Sequence, residues 1–300
     1  MIRRPNIEFG LLVLFSIVFW WQPIASTAQL AWTNEAYTHI LLIVPLSIAL
    51  ACFSSNNRDS NRPDSKTVLS ARPTRLGGLF LFAVVLGLAC FVRWGAALAP
   101  DIRLSLSMVA LVCWWIATVV FCFGLPVLRA FLFPLCFLFW LVPFPNFLLN
   151  WIVPALQNGS ALAAKWMFQL ARVPVTLDGV VLSVPGLEIE VARECSSIRS
   201  SLLLIVTTMV LAQLFLRSPW RRLILVLVAL PLSVAKNGMR IFVITELALR
   251  VDMGYLEGRL HRHGGIIFLT IAWVLIVGVL WALARRETDK NSQLSAVSSQ

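Results

Sequence analysis

The stretch GGIIFLTIAWVLIVGVLWALA, residues 264–284, carries no charged side chain, and charge closes it at both ends, Arg262 ahead of it and Arg285-Arg286 behind. A bilayer core takes about 20 residues of helix, so this run reads as a transmembrane span. Working outward, seven more apolar runs bounded by charge or turn residues fall at 8–28, 38–53, 77–99, 102–123, 127–149, 196–216 and 220–247. The whole chain agrees with its parts. Of 300 residues 59% are hydrophobic and 13% charged, with a mean hydropathy of +0.84. A soluble domain carries about 25% charged residues, so a water-soluble globule is excluded and an all-α polytopic membrane protein of about eight transmembrane helices is expected. Six cysteines are too few for a disulfide-stapled secreted module. The net charge of +11 comes from basic residues that punctuate the apolar runs without forming one stripe, which points to membrane lipids and not to nucleic acid.

Between the fifth and sixth runs, 150–171 is weaker because it contains Gln157, Asn158 and Lys165. A central Lys costs about 2.5–3.5 kcal/mol on insertion scales, so this segment is expected to be an interfacial helix. With Arg3 and Arg4 in the cytoplasm, eight alternating spans place 54–76 there as a loop, together with the tail from 287 to 300. Most of the 25 basic residues then fall inside, among them Arg72, Arg75, Arg217, Arg221, Arg222, Arg285 and Arg286. The chain over 1–300 is read as one integral-membrane domain of the cell inner membrane, with 150–195 on the outer, periplasmic face and a polar, disordered tail over 287–300. Residues 1–28 would also suit a cleaved signal peptide, with the Arg pair, an apolar stretch and Ala25-Ser26-Thr27-Ala28. Within the outer segment, Asp178-Gly179 and Pro185-Gly186 are turn signals, and Leu187-Glu188-Ile189-Glu190-Val191 alternates with period two. That pattern predicts a small β-hairpin on the outer membrane surface.

Three places could carry chemistry. Cys52, Cys90, Cys113, Cys122 and Cys136 lie in or at the ends of apolar spans, where a thiol is usually a small hydrophobe. Cys195 differs. It stands where the outer loop becomes a helix, between Arg193 and Arg199 and next to Ser196, and helix-start N–H groups with nearby positive charge favour a thiolate nucleophile. The plainer reading is a polar cap with an incidental Cys. Arg240, in Asn237-Gly238-Met239-Arg240, is about 25 Å along its span from Leu223 and so reaches the outer boundary of the hydrocarbon. An Arg snorkelling to headgroups is the alternative. Lys236, one turn deeper, needs a carboxylate, a lipid phosphate or a water-lined cavity. His261 and His263 open the last span on the same face, and His39 opens the second; imidazole shuttles protons near neutral pH. A zinc site from Cys195, His39, His261 and His263 is conceivable, but the spacing carries no metal signature, so no metal and no other cofactor is expected. A thiol, a guanidinium and an imidazole on one face suit acyl transfer. In that chemistry Cys195 attacks a peptide carbonyl, Arg240 stabilises the oxyanion, and His261 serves as acid and base.

These residues and their order resemble the exosortases, membrane-embedded cysteine transpeptidases related to archaeosortases. The resemblance covers most of the chain: Trp32 to His39, Phe133-Pro134 through Pro143-Phe144-Pro145 with Leu156-Gln157, Val191 to Ser201 around Cys195, Pro231 through Asn237 and Arg240, and His261-x-x-x-Gly265-x-x-Phe268. It implies Cys195, Arg240 and His261 as catalytic residues, with Asn237, His263, His39 and Ser196 as supporting candidates. One departure is Ser197, where the family often has Gly two residues after the nucleophile. The resemblance further implies an exported protein as substrate, with a C-terminal tripartite sorting signal: a short motif such as Pro-Glu-Pro, a transmembrane helix and a basic cluster. The enzyme would cut near the motif and pass the protein to a surface acceptor, often in bacteria that make exopolysaccharide. The predicted hairpin beside Cys195 would bind the extended motif by strand addition. Two other classes fit the same residues: a lipid-dependent acyltransferase or intramembrane hydrolase, and a non-enzymatic transporter or scaffold in which Lys236 and Arg240 line an anion pathway.

Overall fold

The computed structural model describes residues 4–61, 75–94, 98–191, 198–256 and 265–298. Among the described residues six helices are long and apolar enough to cross a membrane, or up to eight if each of two bent helix pairs forms one span, as the hydropathy pattern predicts. The chain divides into two compact units, Met1–Leu148 and Leu149–Gln300.

In the first unit the expected span 8–28 is two helices, α1 (Arg4–Phe19) and α2 (Trp21–Thr33), bent by 70°. Pro23 explains the break. It has no N–H for the Phe19 carbonyl and its ring collides with that group, so the ladder resumes only where the Ile24 N–H reaches the Trp20 carbonyl at 3.0 Å. After a 3₁₀ turn at Glu35–Tyr37, α3 (Ile40–Asn61) outlasts its expected end at residue 53 and takes up the start of the expected 54–76 loop; residues 62–74 lie outside those described. Helices α4 (Arg75–Trp94) and α5 (Pro100–Phe123) stand close to the expected 77–99 and 102–123. The unit is built on α5. Its Trp114 and Trp115 indoles donate to the Leu12 carbonyl at 3.1 Å and the Ser16 hydroxyl at 2.9 Å on α1, while Gly78 of α4 lies where a Cβ would meet Phe121 at 2.6 Å.

The expected span 127–149 is not one helix. It is α6 (Leu125–Ala130), α7 (Leu132–Phe137) and a 3₁₀ turn at Leu138–Leu141, followed by the extended Val142-Pro143-Phe144-Pro145. Pro134, Pro143 and Pro145 remove donors at short intervals, which an apolar count does not register. Carbonyls freed in a membrane need partners, and side chains supply them. Ser47 donates to the Pro134 carbonyl at 2.8 Å, Ser105 to Pro143 at 2.7 Å and Tyr37 to Phe144 at 2.9 Å, and Asp101 accepts the Asn146 N–H at 2.7 Å.

The helix expected over 150–171 begins earlier, as α8 (Asn146–Leu170), and enters the second unit. There a three-stranded antiparallel sheet replaces the expected hairpin: β1 (Thr176–Asp178), β2 (Val181–Val184) and β3 (Leu187–Glu190), in that order. The turn residues are those the sequence marks, with Gly179 at φ +57° and Pro185 preceding Gly186 at φ +85°, conformations glycine adopts without strain. Leu182 and Val191 pack on Ala161 and Ala164 of α8 together with Ile241. Three helices complete the unit, α9 (Ile198–Phe215), α10 (Pro219–Arg250) and α11 (Gly265–Ser298), around Leu204, Leu216, Leu225, Ala229, Ala272 and Ile276. Helix α11 continues through the polar stretch expected to be disordered from residue 287, because each residue added to a formed helix gains a hydrogen bond without a new nucleus.

Candidate active site

The turn between α9 and α10 fixes the sense of the three-helix unit. Glu287 of α11 accepts the N–H groups of Arg217 at 3.1 Å and Ser218 at 2.8 Å, and Arg221 donates to the carbonyls of Leu283 at 2.9 Å and Arg286 at 3.2 Å. The start of α9, the distal half of α10 and the start of α11 therefore share the opposite end. Each borders a sequence-predicted site residue: Cys195 precedes Ile198 by three positions, Arg240 lies on distal α10, and His261 precedes Gly265 by four. Cys195, Ser196, His261 and His263 themselves lie outside the described residues.

Lys236 settles the level of Arg240. The residue is 6% exposed, and its ammonium donates through Nζ to the Ser200 hydroxyl in the first turn of α9. From that contact, a rise of about 1.5 Å per residue carries α10 about 6 Å further to Arg240 and α9 about 3 Å back to its first residue, Ile198. Arg240, half-buried, thus lies about 3 Å beyond the height where α9 begins. The partner of Lys236 that sequence reasoning sought among carboxylates, phosphates and water is a serine hydroxyl.

The same stretch of α10 is held against α8. Asn237, 1% exposed, donates through Nδ2 to the Ser160 hydroxyl at 2.9 Å, and Ser160 in turn donates to the Leu156 carbonyl at 2.6 Å. Asn237 thus serves as an anchor of the segment that bears Arg240. Gly238 allows the close approach, since a Cβ there would lie 2.5 Å from that of Ala163 and 2.9 Å from the Ala164 nitrogen. We expect Gly238→Ala to force the helices apart at a cost of about 1–3 kcal/mol. Thermal unfolding of the detergent-solubilised protein checks this, and an unchanged midpoint would refute the packing account.

Gln157, three residues before Ser160 on the same face of α8, donates through Nε2 to the Val191 carbonyl. That carbonyl lies four residues ahead of Cys195 in the chain. From the sequence, Gln157 interrupts an apolar run and belongs to the segments that carry the resemblance, but it has no assigned partner. Its spacing from Ser160 on a helix with few polar residues was the signal that pointed to an inward polar face.

His39 belongs to the first unit and is 3% exposed. Its Nδ1 lies 3.2 Å from the Ala36 carbonyl, its ring packs 6.2 Å from Trp140 and 6.4 Å from Phe144, and Nε2 has no partner among the described residues. Among the described residues no group of three or more His, Cys, Asp or Glu is arranged to hold a metal ion, and three of the four candidate zinc ligands, Cys195, His261 and His263, lie outside them.

A family model described as transmembrane exosortase matches residues 20–278. The chain belongs to the transmembrane exosortase family. The match runs across both compact units. Family membership makes this exosortase a membrane protein of the class that processes the sorting signals of exported proteins. No curated protein and no solved structure matches the chain significantly.

Proposed function

We propose that this exosortase is a cysteine transpeptidase of the cell inner membrane, acting on exported proteins that end in a motif of the Pro-Glu-Pro type, an apolar helix and a basic cluster. In the proposed reaction the Cys195 thiolate attacks the carbonyl of the scissile bond, and the guanidinium of Arg240 donates to the oxyanion that forms. His261 gives a proton to the departing amine as the thioester forms, then takes one from the acceptor nucleophile that displaces Cys195. His263, Ser196 and His39 are held as supporting candidates. The observation that carries the reading is the family match over 20–278, joined by the level of Arg240 near the start of the helix that Cys195 precedes by three residues. The basic turn around Arg217, Arg221, Arg222, Arg285 and Arg286 supports an orientation with that end in the cytoplasm and the site at the periplasmic rim. Product analysis tests the proposal: a truncated substrate joined to a surface acceptor supports transpeptidation, whereas water as sole acceptor would make the protein a hydrolase.

Among the described residues the second edge of β3 is unpaired, which suits the extended motif. Val191 donates to the Val180 carbonyl at 3.0 Å, so by antiparallel alternation Leu187 and Ile189 turn their backbone groups to β2, while Glu188 and Glu190 turn theirs to the unpaired edge. A substrate strand pairing there would lead toward Cys195. Glu188→Pro removes an edge N–H without touching the β2 ladder, and edge strands tolerate proline. We expect KM to rise roughly 3–10-fold, the value of about one net hydrogen bond, with kcat little changed. An unaltered KM would count against strand addition.

A further inference from the structure

Both flanks of the 192–197 segment are tied to buried polar side chains on neighbouring helices. Ahead of it, the Val191 carbonyl accepts from Gln157 of α8, which is 8% exposed. Behind it, the Ser200 hydroxyl accepts from Lys236 of α10. The two anchoring helices are joined to each other through Asn237 and Ser160, both 1% exposed. These three contacts link Val191 and Ser200 through α8 and α10.

Lys236 is the unexpected member. A lysine inside a span usually marks a pathway or a site, and an aliphatic residue would fill the same volume without carrying a charge out of water. Here the ammonium meets a neutral hydroxyl, in the first turn of the helix following Cys195, where it lies beside the helix bearing Arg240. Lys236 and Arg240 are also four residues apart and so share a helix face. We propose that Lys236 is a positioning residue: held on the Ser200 hydroxyl, its ammonium locks the first turn of α9 to α10 and thereby sets the spacing between the nucleophile and the oxyanion-binding guanidinium. This inference rests on the roles given above to Cys195 and Arg240.

The test is a double-mutant cycle on the full-length protein in detergent or proteoliposomes, with kcat and KM measured on a reporter ending in Pro-Glu-Pro, an apolar helix and an arginine cluster. Misplacing a reactive pair by about 1 Å can cost roughly 100-fold in rate. Lys236→Met and Ser200→Ala are each expected to lower kcat by roughly 30–100-fold with KM within about 3-fold, and the double variant to be no worse than the poorer single one, because both remove the same contact. Ser200→Thr, which keeps the hydroxyl, is expected to retain kcat within about 5-fold and serves as the control if Lys236→Met does not accumulate. Losses that multiply in the double variant, or a Ser200→Thr enzyme as impaired as Ser200→Ala, would overturn the proposal. A fully active Lys236→Met beside a dead Cys195→Ala overturns this inference alone; an active Cys195→Ala overturns the catalytic reading and this inference with it.

Discussion

Cys195→Ala is expected to abolish processing of a sorting-signal reporter, by roughly four orders of magnitude or more, while the protein reaches the membrane at its normal level. The magnitude follows from covalent catalysis: without the thiol no acyl-enzyme forms, and the remaining groups must act on water or the acceptor directly. Normal insertion is part of the prediction because the substitution leaves in place Leu204, Leu225 and Ile276, which build the apolar core that holds α9 to α10 and α11. Cys195→Ser should be nearly as inactive, since a hydroxyl lacks the acidity that makes a thiolate available. Immunoblotting of precursor and product in membranes reads both quantities together. Full processing by Cys195→Ala would favour the transporter or scaffold class, for which this residue is incidental.

Arg240→Ala should lower kcat/KM by roughly 10²–10³-fold, about 2.7–4 kcal/mol, the cost of losing one oxyanion donor. Arg240→Lys separates charge from geometry. It keeps a cation near the level where α9 begins but loses the planar fork of donors, so an intermediate loss of roughly 10–100-fold is expected. An anion pathway needs only the charge, and there Lys would substitute freely. A loss in KM alone would move Arg240 from the reaction to substrate binding. Steady-state kinetics on the purified protein decide among these outcomes, and the Asn237 to Ser160 bond makes gross displacement of the segment by either variant unexpected.

Much of this was legible from the residues in order. Runs such as 77–99 and 102–123 became helices within a few residues of their expected limits, because hydrocarbon thickness and helical rise fix span length independently of tertiary detail. Asp178-Gly179 and Pro185-Gly186 announced their turns because few residue pairs adopt that backbone without strain. What escaped notice depended on partners far away in the chain. The 127–149 run was apolar enough to span, yet Pro134, Pro143 and Pro145 broke it into short pieces whose carbonyls are satisfied by Ser47, Ser105 and Tyr37. The helix expected over 150–171 begins earlier, at Asn146, and turns Gln157 and Ser160 inward to Val191 and Asn237. β1 was too short to register as a strand of its own. At the site, Lys236 stood out by its cost and Arg240 by its depth, but neither could disclose that Ser200 and Ser160 are the hydroxyls that hold their helix in place.

The account depends most directly on a thioester at Cys195. Acid quenching of the enzyme during turnover, with Cys52, Cys90, Cys113, Cys122 and Cys136 replaced, followed by peptide mass spectrometry, should find the truncated substrate attached to Cys195 through a bond that neutral hydroxylamine cleaves. Product accumulating while Cys195 remains unmodified, or an acyl group on any other residue, would contradict it.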